Sequence, residues 1–228
     1  MESGLFGGDG KLDYMDLMEF TPTNYLETHR FKINKESSEK IKALRTILDK
    51  DECVVGGVVY GSHTYELENS NSDLDSIIFI DDNTLPDKVE GLKLSLLASF
   101  KETEKKGIRL KKISNDIVNK QVDSLIYYFS QDISKRDPNN FPYTLLPDLF
   151  LMQIGSKKID QYRKIVLDKI GEANCGDDIW NKYLSSELLV IFNKNNRLGN
   201  SEEYSRFVEK RSNIMPTSVK EARSYFGL

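Results

Sequence analysis

The sequence holds only two cysteines, Cys53 and Cys175, in 228 residues. Two cysteines cannot build a disulfide framework, and with only two widely spaced histidines they do not read as a zinc site. No stretch approaches the roughly 20 apolar residues needed to span a bilayer, so no membrane partner is expected. The first residues lack the basic-then-apolar order of a secretory signal, and a reduced cytoplasmic location is the default expectation. Basic excess is missing too. Lys and Arg number 32 against 36 Asp and Glu, a net charge of −4, which argues against a protein whose main task is to coat nucleic acid.

What is present is a soluble globular composition, 39% hydrophobic and 30% charged, in a chain long enough for one sizeable domain or for a catalytic domain with a smaller partner. Residues 1–30, with Gly4, Gly7, Gly8 and Gly10, read as a flexible or docked N-terminal segment. Residues 31–140 read as a mixed helix-and-strand domain and 141–228 as a helical C-terminal region, with a boundary near 135–150. Ser37 or Ser38 is placed to cap a helix carrying Ile41, Leu44 and Leu48 on one face. Val54–Tyr60 and Leu74–Ile80 read as buried strands. Residues 84–120 are ambiguous. Val89, Leu92, Leu96 and Phe100 fit a helix, while Leu110 and Ile113 also allow strands. Lys105, Lys106, Arg109, Lys111 and Lys112 form a basic cluster there, read as a solvated face before a nucleic-acid contact. Leu125, Ile126, Phe129 and Ile133 follow a helical pattern, and Asp137-Pro138-Asn139-Asn140 a turn. Two later stripes are helical: Ile159, Tyr162, Val166, Ile170, then Ile179, Tyr183, Leu184, Leu188. The expected fold is α/β (α+β), a mixed sheet flanked by helices.

The most informative stretch is residues 53–80. A hydrophobic run ends in Gly61-Ser62, and a second opens with Asp73-Leu74-Asp75. In a strand, residues i and i+2 project on one face, so the two carboxylates lie roughly 6–7 Å apart along the backbone. That spacing suits oxygen-loving cations such as Mg²⁺, which bind a few carboxylates together with substrate phosphates and water. Leu74, facing the core, fixes the register. Gly61 allows a sharp turn and close approach to an anion, and Ser62 adds a hydroxyl donor. His63 is placed to touch a phosphate, although packing over the turn is its commoner use. Tyr127 and Tyr128 could stack on a base, but aromatics at this spacing more often pack in a core. Lys194, Arg197, Arg206, Lys210, Arg211, Lys220 and Arg223 give the last residues a basic balance, which reads first as solvated surface and second as a grip on an RNA backbone.

Together, Tyr60-Gly61-Ser62-His63-Thr64-Tyr65 and Ser72-Asp73-Leu74-Asp75 followed by Ser76-Ile77-Ile78-Phe79-Ile80 resemble the DNA polymerase β-like nucleotidyltransferase superfamily. Within it, they look closest to the predicted nucleotidyltransferases associated with RNA repair and RNA ligases. The strong part of the likeness covers residues 53–80. Close relatives carry a glycine a few residues after the Gly-Ser, where Glu66-Leu67-Glu68 stands here. The resemblance implies transfer of a nucleoside monophosphate from an NTP such as ATP to an acceptor hydroxyl, with an RNA end as the leading acceptor. It implies Gly61, Ser62 and Ser72 at the nucleotide, and two Mg²⁺ ions (or Mn²⁺) held by Asp73, Asp75 and a third carboxylate on a later strand. Asp123 is the choice for that third ligand and Asp116 the alternative, though either could be a helix cap. Asp123 would also take the proton of the attacking hydroxyl. Transfer to a protein side chain or a small molecule, a hydrolytic or synthetase variant, and a non-catalytic module that kept the fold are the rival readings.

Overall fold

The computed structural model describes residues 35–60, 73–101, 105–155, 158–185 and 216–228. Contacts divide the described chain into two units. One holds the residues up to Ile113 together with Met152–Ile159, the other Ser114–Leu151 and the residues from Asp160 onward. The division at Ile113/Ser114 falls well before the expected boundary.

In the first unit, α1 (Lys35–Lys50) buries Ile41, Leu44 and Leu48 along one stripe. Ser37 and Ser38 lie inside this helix, fully buried, and do not cap it. β1 (Val54–Val59) is buried along its whole length, and β2 (Ser76–Asp81) along its first five residues. The two pair antiparallel, with an irregularity between Val54 and Gly56. Strands buried on both faces carry near-continuous apolar runs, which is how both read in the sequence. α1 packs on β1 through Gly57, where an added Cβ would stand 2.6 Å from Leu48 Cδ1, so the glycine lets the helix close on the strand.

After β2, Asp81 accepts the Asn83 N–H at 2.8 Å and the chain turns. α2 (Pro86–Ser99) buries Leu92 and Leu96. It carries the chain to β3 (Ile108–Ile113), which lies parallel to β2, as a helical crossover allows. A three-residue strand, β4 (Met152–Ile154), pairs antiparallel with β1 and completes a mixed sheet of order β3-β2-β1-β4. The sequence reading made everything beyond the turn at 137–140 helical. β4 corrects it: three residues are too few to show a period of two.

In the second unit, α3 (Asn115–Ser130) buries Val118, Val122, Leu125 and Phe129. Its N-cap is Ser114, whose Oγ accepts the Ile117 N–H at 3.3 Å. α4 (Lys158–Glu172), which belongs to this unit from Asp160 onward, buries Tyr162, Val166 and Ile170 of the expected stripe; Ile159, also buried, is the last residue of the first unit. α5 (Gly176–Ile179) runs into a π-helical turn, Trp180–Leu184, and α6 (Val219–Phe226) is capped by Ser218. Trp180 is fully buried. Its indole N–H donates to the Pro216 carbonyl at 2.7 Å, and its ring packs edge-on against Phe150 and Phe226. The fold is therefore mixed α+β. Among the described residues no helix is long and apolar enough to cross a membrane.

Candidate active site: a carboxylate pair at the head of β2

The chain enters β2 through Asp73-Leu74-Asp75. Leu74 is completely buried while Asp73 and Asp75 are each half-buried. The alternation sets the two carboxylates on one side and the leucine in the core. The ladder itself starts at Ser76, so Asp75 sits just ahead of the strand and not within the Leu74–Ile80 span expected. Two backbone hydrogen bonds hold it there. The Asp75 carbonyl accepts the Tyr60 N–H at 3.0 Å, and the Ser76 N–H donates to the Gly107 carbonyl at 3.1 Å. The first ties the pair to the end of β1, immediately before Gly61. Gly61, Ser62, His63 and Ser72 lie outside the described residues.

The electrostatics of the pair are unfavourable by themselves. Burial pushes the Asp75 carboxyl up from its ordinary 3.8 to about 6, with the Asp73 charge adding to the shift and Arg109 opposing it. Arg109 comes from β3. The parallel register sets it beside Ile77, hence on the face that Asp75 occupies two residues earlier. Arg109 is exposed and makes no hydrogen bond or ion pair among the described residues. Close approach of β3 depends on Gly107. A Cβ there would lie 2.6 Å from the Leu74 carbonyl carbon, 2.7 Å from its oxygen and 2.8 Å from the Asp75 nitrogen, all backbone atoms that cannot step aside.

The third carboxylate does not take the place the resemblance implies. β3 carries Ile108, Arg109, Leu110, Lys111, Lys112 and Ile113, with no acid. Asp123 lies mid-way along α3, not on a strand, and pairs with Lys169 at 2.6 Å. Asp116 is exposed in the first turn of the same helix. The cause is local. Ser114 caps the helix directly after β3, so the chain is already helical at Asp116 and stays so past Asp123. Among the described residues no group of three or more His, Cys, Asp or Glu side chains stands close enough to hold a metal ion.

Within the helical unit, Asp123 helps line a cavity of about 710 Å³ with Tyr127, Tyr128, Gln131 and Asn140. Tyr128 is spent on packing, with rings of Phe129 and Phe141 5.7 and 5.1 Å away, whereas Tyr127 is 71% exposed. Arg223 is committed to Asp168 at 2.6 Å and to the Leu167 carbonyl. Lys194, Arg197, Arg206, Lys210 and Arg211 lie outside the described residues.

Compared with protein-family models, with curated proteins and with solved structures, the chain matches none.

The residues present fit a divalent cation in a limited way. Two repelling, partly desolvated carboxylates on one side of the chain are relieved by an ion that completes its shell with water and phosphate oxygens. They make a place for one such ion more readily than for the pair of ions that three carboxylates would share. Sequence reasoning did not find Arg109 or Gly107 as parts of this place. Arg109 was one of five basic residues in an ambiguous segment, and only the β2–β3 register separates it from the rest.

Proposed function

We propose that this chain is a metal-dependent nucleotidyltransferase, moving a nucleoside monophosphate from an NTP to an acceptor hydroxyl, with an RNA end as the first acceptor to test. The observation that carries the reading is the Asp73–Asp75 pair. It stands on one side of a buried Leu74, tied to the residue before Gly61, with Asp75 desolvated and repelled by its neighbour. Perturbed carboxylates of this kind cluster at functional sites. Mg²⁺ or Mn²⁺ held by Asp73 and Asp75 would neutralise triphosphate charge and acidify the acceptor hydroxyl. The chain's own contribution is orientation. Leu74 anchors the register, the Tyr60 and Gly107 hydrogen bonds fix the backbone, and both carboxylates face one way. Gly61 and Ser62, following Tyr60, would meet the phosphates.

The test is incubation with each labelled NTP, Mg²⁺ or Mn²⁺, and total RNA or lysate. Label is expected on one acceptor class, and Asp73→Ala or Asp75→Ala is expected to lower incorporation at least about a hundredfold, since several kcal/mol of charge stabilisation are lost with the metal. Equal labelling by the folded variants would sink the reading. A second reading, a binding module that kept the fold, is favoured by one observation: β3 offers a cation where the resemblance implies an acid. It predicts no NTP turnover with any divalent metal.

A further inference from the structure

We infer that Arg109 is a phosphate-binding residue of this site, brought beside the carboxylate pair by the close approach of β3 at Gly107. The inference rests on the nucleotidyl-transfer reading above and deepens it by assigning a ligand to the nucleotide's phosphates.

Three observations carry it. The parallel pairing Ile77↔Arg109 fixes Arg109 on the face shared by Asp75, and Gly107 two residues earlier locks that register by close backbone approach to Leu74 and Asp75. The guanidinium is exposed and engaged by no hydrogen bond or ion pair among the described residues, so its donors are open to a ligand. Its neighbour Lys112 shows the alternative fate. That ammonium reaches back to Asp82, donating to its carbonyl at 2.9 Å. The chemistry follows from the fork of N–H donors, which matches two phosphate oxygens at once and is stronger than a neutral hydrogen bond. A cation at this position also suits a site with two acids in place of three. A nucleoside triphosphate carries more negative charge than one divalent ion balances, and a fixed arginine supplies positive charge without a second ion.

The experiment uses the full chain without acceptor. Mn²⁺ binding is followed by electron paramagnetic resonance, and binding of a non-hydrolysable α,β-methylene ATP analogue with Mn²⁺ by calorimetry. Arg109→Met is expected to bind Mn²⁺ alone as tightly as the parent or more tightly, because a repelling charge has gone. It is expected to bind the analogue about tenfold to a hundredfold more weakly, the range of a charge-assisted hydrogen bond. Arg109→Lys should recover part of the loss, since it keeps the charge but not the fork. A merely structural role, as counter-charge to Asp75, would leave analogue affinity unchanged in Arg109→Met, and that result overturns the inference while leaving the nucleotidyl-transfer reading intact. A parent protein that binds neither Mn²⁺ nor the analogue overturns both.

Discussion

The sheet unit and the helical unit use charge in opposite ways. In the helical unit the conspicuous cations are settled on partners. Arg163 is 1% exposed, donating to the Leu149 carbonyl at 2.6 Å, to the Leu151 carbonyl at 3.1 Å and to Asp160 at 2.9 Å. Arg223 holds Asp168, and Lys169 holds Asp123. In the sheet unit, burial and a like charge push the Asp75 carboxyl up to about 6, while Arg109 close by makes no hydrogen bond or ion pair among the described residues. Charge that is matched locally serves the fold. Charge left at a cost serves something else, and this contrast is the support for placing function at the head of β2 and not on α3.

The comparison breaks most visibly at Arg163. Arg163→Met should destabilise the protein by about 3–4 kcal/mol, because two buried carbonyls lose their donors and packing against Phe226 changes. Chemical denaturation reads this directly. Transfer activity per folded molecule should stay within about twofold of the parent, since nothing in the proposed chemistry uses this residue. Activity lost from a fully folded Arg163→Met protein would mean that the helical unit carries chemistry after all.

A smaller effect of opposite sign is expected at the pair. The carboxyl of Asp75 is raised in the folded protein from 3.8 to about 6, so the native state holds its proton over a range where the unfolded chain has released it. Stability therefore falls as pH rises between about 4 and 6. The penalty is absent below that window and complete above it. Asp75→Asn should remove it, stabilising the metal-free protein at pH 7–8 by about 1 kcal/mol after allowance for partial exposure, with no gain near pH 4. Thermal melts in chelator across pH 4–8 would show it. A uniform gain at every pH would place the effect in packing and not in charge.

How far the sequence disclosed this arrangement depended on the signal each element carries. β1, β2 and the stripe of α4 were legible because apolar runs and helical periods report burial directly. The pair Asp73/Asp75 was legible for the same reason, since an apolar residue between two acids fixes which way the acids face. β4 was not, being three residues long, and the start of α3 was missed because Ser114 follows directly on β3. That one missed cap moved Asp123 from an expected strand into mid-helix. Gly107 and Arg109 were hidden for a different reason. Their meaning lies in which strand neighbours which, and a parallel crossover register has no local signature.

Asp123 gives the finest test of the contrast. Its ion pair with Lys169 is largely exposed on the aspartate side, at 62%, so little free energy rests on it. Asp123→Asn should cost about 0.5 kcal/mol or less, in line with exposed pairs generally, and that cost should shrink in high salt. With Lys169→Met as the matching variant, a double-mutant cycle isolates the pair from the individual changes. The decisive readout is Mn²⁺ affinity. A carboxylate engaged by the Lys169 ammonium of α4 leaves it unchanged, whereas a third metal ligand would lower it at least about tenfold when its charge is removed. An unchanged affinity with a salt-sensitive loss of stability would assign Asp123 to the fold and leave the metal to Asp73 and Asp75. A tenfold loss would move the boundary between structural and functional charge into the helical unit.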